Sequence, residues 1–225
     1  MHCSKQFHTF AMNSLPTVIV MADPSGDQAR GSVGSAGPMA AFSTLDTTLR
    51  RVMSSGLPLL LVGSQDQADE VLDLLPKQDI LVSGQPPKAQ DHGDWLVRCL
   101  AAAVMTRSHA DGWVVLPADM PMLQTATLHA LVSALSQGPI VFPTYRHLRG
   151  HPVAFAAELY SELVHMDSEQ ALRRLAARYP SVEVEVDDPG ILMALRPQSA
   201  LTQLRAQLGG PAINPYPSSS SKRSG

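Results

Sequence analysis

Asp119 follows an apolar run, Trp113–Pro117, with only Ala118 between. A carboxylate at the end of a buried strand suits Mg²⁺, which takes one or two carboxylates and completes its shell with phosphate oxygens and water. The same aspartate stands shortly before a helix expected near Leu123, where it would act as a cap, and both readings stand. A second candidate is the stretch Asp23–Pro38, which holds Gly26, Gly31, Gly34 and Gly37, three serines and one cation, Arg30. Backbone N–H groups of such a loop ahead of a helix can wrap phosphates. The stretch matches neither G-x-G-x-x-G nor the Gly-Lys-Ser/Thr ending of a P-loop, and a glycine-rich loop of this composition is more often a mobile connector. His151, between Gly150 and Pro152, reads as an exposed turn histidine or as a substrate contact. Arg173, next to Arg174, reads as a helix surface residue or as a site residue.

These residues need a scaffold, and composition bounds it. The chain has 225 residues, 44% hydrophobic and 16% charged, enough apolar material for a real core and too little charge for wholesale disorder. A formal charge of −3 supplies no field to gather nucleic acid or anionic lipid, so neither is expected as a partner. Cys3 and Cys99 are the only cysteines and cannot build a disulfide framework or a zinc cluster. No apolar run approaches a membrane span, and the first residues lack the apolar stretch and cleavage site of a signal peptide. A cytoplasmic protein is the expectation. Residues 1–15 read as a mobile leader, 16–208 as one α/β domain and 209–225 as a disordered Ser/Pro-rich tail.

Short apolar runs alternate with helical patterns. Thr17–Ala22, Pro58–Val62, Ile80–Val82, Trp113–Leu116, Ile140–Phe142 and Val153–Phe155 read as strands, and continuous apolar strands mean burial on both faces. Helices are expected from Phe42 to Met53, from a Ser64/Gln67 capping box through Leu75, over Trp95–Val104, over Leu123–Leu135 and over Ser168–Arg178. Val182–Val186 alternates apolar and acidic residues, as an edge or half-exposed strand does, and Ile191–Leu195 reads as a further strand. Tyr145–His151 reads as a polar turn. The pattern predicts a doubly wound, Rossmann-like, mostly parallel sheet whose ligands gather beyond the carboxyl ends of its strands.

Three segments occur together in order: Trp113-Val-Val-Leu-Pro-Ala-Asp-Met-Pro121, Arg149-Gly-His-Pro-Val153 and Asp187-Asp-Pro-Gly190. Together they resemble the MobA-like nucleotidyltransferases of molybdenum cofactor biosynthesis, in particular the molybdenum cofactor cytidylyltransferases, with the guanylyltransferases as relatives. The resemblance implies a sheet of the nucleotide-diphospho-sugar transferase type over residues 16–208. It implies transfer of CMP or GMP from CTP or GTP to the phosphate of molybdopterin, with Mg²⁺, and a molybdoenzyme as a possible protein partner. On that basis Asp119 is the catalytic metal carboxylate. Gly26, Arg30 and Gly93 fall in nucleotide-binding positions, and Gly150, His151, Pro152 and Arg173 in substrate-binding ones.

Departures from the family pattern cluster around the triphosphate. Where the family carries Leu-Ala-Ala-Gly and a glycine turn with Arg-Met-Gly and a lysine, this chain has Val20-Met-Ala-Asp-Pro24. Asp23 adds negative charge and Pro24 removes an N–H donor. No lysine occurs from Thr17 to Pro76, and Gly93-Asp-Trp-Leu-Val97 stands for the family's Gly-Met-x-x-Ser-Leu. The family's second metal carboxylate falls on Ala194-Leu-Arg-Pro197. Asp187 and Asp188 are nearby carboxylates with an expected structural role. Weak or lost catalysis follows, because even one preorganised donor contributes about 2.7–4 kcal/mol. The alternatives are a catalytically silent member that binds molybdenum cofactor or a molybdoenzyme during maturation, a pseudoenzyme, and a plain interaction domain.

Overall fold

A computed structural model describes residues 14–22, 43–84 and 91–193. Four strands form the parallel half of its sheet: β1 (Thr17–Met21), β2 (Leu59–Gly63), β3 (Ile80–Val82) and β4 (Gly112–Pro117). They lie in the order β3-β2-β1-β4, so β1, whose five residues are all buried, sits inside the sheet. Beyond β4 the order continues through β7 (Val153–Ala156) to β5 (Ile140–Tyr145), with β7 antiparallel to both. The sheet is mixed and mostly parallel, as expected.

On the outer flank, β5 pairs with β8 (Ser181–Glu185) in parallel along one edge. Its other edge takes β7 at Ile140 and Val141, and then the two-residue β6 (Leu148–Arg149) at Thr144 and Tyr145. β8 alternates exposed and half-buried residues, in agreement with the edge-strand reading.

Period-two alternation sends successive strand residues to opposite helical layers. Ile19 and Met21 join the core beneath α3 (His92–Thr106), α5 (Tyr160–Val164) and α6 (Glu169–Arg178). Val18 and Val20 join the core beneath α1 (Thr44–Ser54) and α4 (Thr125–Ala134). Ser64 caps α2 (Gln65–Glu70) through a complete capping box with Gln67, as its sequence signature indicates. Helix α2 ends at Glu70, and the backbone then turns, with Leu75 N–H donating to Val71 O, rather than continuing helical to Leu75.

Three expectations need correction. Ile191–Leu195 is not a strand: Pro189–Leu192 forms a 3₁₀ turn, whose N-cap Asp188 accepts from Gly190 N–H, and residues 194–195 lie outside those described. The apolar character of Ile191 reflects burial, at 1% exposure, not sheet pairing. The stretch Tyr145–His151 contains β6 as well as a turn, and α5 had no counterpart in the sequence reading. Among the described residues no helix is long and apolar enough to cross a membrane.

Candidate functional site

The carboxyl ends of β1, β2, β3 and β4 open on one edge of the sheet. Hydrogen bonds carry the ladder past the strands: Ala22 N–H donates to Val62 O at 2.8 Å, Ser83 N–H to Gly63 O at 2.8 Å and Ala118 N–H to Met21 O at 3.0 Å. Asp119 is the next residue, half-buried, in the turn leaving β4 beside the end of β1. Gly26 and Arg30, from the loop that follows β1, lie outside the described residues.

The start of α4 is held by Asp188 rather than by Asp119. Asp188 is 2% exposed; its Oδ2 accepts from Gln124 N–H at 2.9 Å and from the Thr127 hydroxyl at 2.6 Å, and its Oδ1 accepts from Gly190 N–H at 2.8 Å. One carboxylate therefore caps a helix more than sixty residues earlier in sequence and folds its own turn. This is the structural role expected of the Asp187-Asp188 pair, and it takes Asp188 out of contention as a replacement metal ligand.

That turn braces the site. A Cβ on Gly190 would come within 2.4 Å of Met122 O, so the turn packs against the loop carrying Asp119. The next residue, Ile191, accepts His151 N–H at 2.9 Å, and its carbonyl oxygen lies 2.5 Å from where a Gly150 Cβ would sit. Gly150 N–H donates to Pro143 O at 2.9 Å, and the His151–Pro152 peptide is cis. His151 is only 5% exposed, so it is not an exposed turn histidine. Gly150, His151 and Pro152 form a wall beside the strand ends instead of reaching outward.

A second group assembles where the N-termini of α3 and α6 meet on the same edge. Asp94 Oδ1 accepts Glu169 N–H at 2.8 Å, while the carboxylate of Glu169 occupies the space above Gly93, where an added Cβ would fall 1.6 Å from Oε1. Arg173 pairs with Glu169 across one helical turn at 3.5 Å. Asp94, Glu169, Gln170, Arg173, Arg174 and Ala177 line an open cleft of about 520 Å³. The structure thus brings Gly93 and Arg173 together through Glu169, and joins Asp119 to Gly150–Pro152 through Asp188–Ile191. Asp188 and Gly190 are the residues that sequence reasoning under-rated; Asp-Pro-Gly reads as a turn, but its distant partners leave no local signal.

Elsewhere, burial pushes the Cys99 thiol up to about 11, against smaller opposing effects of Arg98 and Ser83, which makes it an inert core residue. Among the described residues no group of three or more His, Cys, Asp or Glu side chains could hold a metal unaided. Asp119 offers one carboxylate, which fits a hard cation that arrives with phosphate oxygens of its own.

Comparison with known proteins agrees with this geometry. A manganese complex of Rv0371c from Mycobacterium tuberculosis superposes with a TM-score of 0.59 at 21% identity, covering 85% of this chain and 98% of that one. The 4-diphosphocytidyl-2C-methyl-D-erythritol synthase of Anaerococcus prevotii gives 0.56 at 13% identity, covering 87% and 96%. A nucleotidyl transferase from Methanothermobacter gives 0.53 at 18% identity, covering 87% and 98%. At such identities the likeness establishes the fold: a nucleotide-diphospho-sugar transferase sheet. No curated protein sequence matches the chain. The sequence pattern of the MobA-like NTP transferase domain matches residues 38–184, from before α1 to the penultimate residue of β8. With that match spanning well over half its length, the chain belongs to the MobA-like NTP transferase domain family.

Proposed function

We propose that the chain is a nucleotidyltransferase-type protein of molybdenum cofactor biosynthesis, transferring CMP or GMP from CTP or GTP to the phosphate of molybdopterin with attenuated turnover. The observation that carries this reading is the position of Asp119, one residue beyond the last inter-strand hydrogen bond between β1 and β4, at the carboxyl edge. In this reading a phosphate oxygen of the acceptor attacks the α-phosphorus, the bond to the bridging oxygen breaks and pyrophosphate leaves. A bound Mg²⁺ supplies charge neutralisation for the phosphates. Asp119 holds the metal–triphosphate complex, Gly26, Arg30 and Gly93 take the nucleotide, and the wall Gly150–His151–Pro152 together with Arg173 positions the acceptor. Asp188 cannot stand in as a second metal carboxylate, because both its oxygens are engaged in a buried cap. Slow turnover follows.

The test is pyrophosphate release from CTP, and separately from GTP, with Mg²⁺ and molybdopterin. Turnover well above the uncatalysed rate that falls on the order of 100-fold in Asp119→Ala supports the reading. Absence of release from the wild-type protein, with molybdopterin still retained, favours a catalytically silent member that binds the cofactor or a molybdoenzyme during maturation. The engagement of Asp188 is what favours that second reading.

A further inference from the structure

The hairpin joining β5 to β6 is built against its own conformational preference. Tyr145 pairs with Leu148, so Arg146 and His147 alone form the turn, with φ of 52° and 64°. Two positive φ values make the type I′ pattern, for which Asn-Gly is the favoured pair, because L residues with a full side chain are disfavoured there. Arginine and histidine hold the shape because Glu185 on β8 fastens it: one carboxylate oxygen accepts Arg146 N–H at 2.9 Å and the other accepts the Thr144 hydroxyl at 2.7 Å. The Arg146 guanidinium lies 5.2 Å from the centroid of the Tyr145 ring. Both turn residues are exposed. A guanidinium resting on a ring by its face keeps in-plane N–H donors for a further partner.

Register places this tip beside the candidate site. Val114 of β4 and Val141 of β5 both pair with Ala154 of β7. Asp119 lies five residues beyond Val114, and Arg146 five beyond Val141, in strands that run the same way. Both therefore follow strands that end at the same carboxyl edge, and those strands lie two strand spacings, on the order of 10 Å, apart where each pairs with β7. Between them sits the Gly150–Pro152 wall, continuous with β6 and β7. The neighbouring acids are engaged within the fold: Glu183 pairs with Arg149, and Glu185 with the turn itself. What the tip offers a ligand is one permanent cation and one imidazole.

We propose that Arg146 and His147 form a phosphate-binding tip that receives the anionic phosphate group of the acceptor and sets its distance from Asp119. The inference rests on the nucleotidyltransferase reading above and adds two specificity-determining residues to it. It also explains why a strained pair occupies a turn that Asn-Gly would fill without strain.

The test is the double replacement Arg146→Asn/His147→Gly, which removes both donors while installing the preferred turn. The variant is expected to fold and to gain roughly 2–4 °C in Tm. Inorganic phosphate is titrated at constant ionic strength and followed by ¹⁵N–¹H shifts of residues 144–151, with CTP·Mg²⁺ titrated in parallel. Saturable phosphate shifts in the wild type that weaken at least tenfold in the variant, with CTP·Mg²⁺ affinity unchanged, are the expected result. Phosphate shifts that are absent from the wild type, or equal in the two proteins, overturn the proposal. A tenfold loss of CTP·Mg²⁺ affinity in the variant assigns the tip to the nucleotide's own phosphates and overturns the acceptor assignment. Wild-type protein that binds phosphate at the tip but not CTP·Mg²⁺ sinks the nucleotide reading while leaving the phosphate tip standing.

Discussion

At the scale of single residues, buried carboxylates divide the labour. Asp188 meets three donors in a water-excluded position, so removing it strands Gln124 N–H, Gly190 N–H and the Thr127 hydroxyl together. Asp188→Ala is expected to cost about 3–5 kcal/mol in urea denaturation, and Asp188→Asn less, since one amide oxygen still accepts. Two acids outside the core, the half-buried Glu162 and the exposed Glu185, work differently. Glu185 is held below its ordinary value of 4.5 chiefly by the Thr144 hydroxyl, with the Arg146 and His147 N–H groups and the His147 charge helping and desolvation opposing. Glu162 is held low first by the Tyr179 hydroxyl, at 2.5 Å. Because the folded state favours their ionised forms, their contribution to stability is complete above about pH 4.5. It is lost as the pH falls through the lowered folded-state values. Tyr179→Phe should therefore shrink the acid-side loss of stability, which urea midpoints across that range would show.

At the scale of elements, what the sequence made visible follows from range. β3 matches its expected bounds, and β1, β2, β4 and β7 lie within a residue of theirs, since continuous apolar runs suit strands packed between helical layers. β3 is the exception in burial, half-buried at Ile80 and Leu81 and exposed at Val82 rather than covered on both faces. The capping box at Ser64 is equally local and equally visible. What was missed depends on distant partners. Ile191 is apolar because it is buried in the α1/α4-side core, and a short apolar run reads the same whether it pairs in a sheet or closes a 3₁₀ turn. β6 has two residues, too few for any period. Asp119, His151 and Arg173 could be picked out by residue type, but that Asp188 ties the Asp119 loop to the Gly150 wall is a tertiary fact. This brace leads to a prediction: Gly150→Ala places a methyl 2.5 Å from Ile191 O and must push turn and wall apart. The expected cost is about 1–3 kcal/mol in thermal or urea unfolding, with weaker ligand binding at the edge.

Across the whole molecule, one sheet separates two cores. Leu100, on the buried face of α3, lies on one side and Leu49, on α1, on the other, both with no exposure. Truncating either to alanine is expected to cost about 2–5 kcal/mol, and the double variant about the sum, because the intervening sheet keeps the two cavities from sharing neighbours. The same two-sided construction explains why the described candidate residues gather at one edge. Helices cover both faces, so only the strand ends and helix N-termini at the carboxyl edge remain to meet a ligand. Under the proposed function a nucleotide binds at that edge, with Asp119 as its metal-side carboxylate. Isothermal titration of CTP, and separately GTP, with Mg²⁺ into the wild-type protein and Asp119→Ala tests that claim most directly. Saturable heat in the wild type that disappears in the variant is the result expected. No heat at millimolar nucleotide, or identical binding in the two proteins, would contradict it.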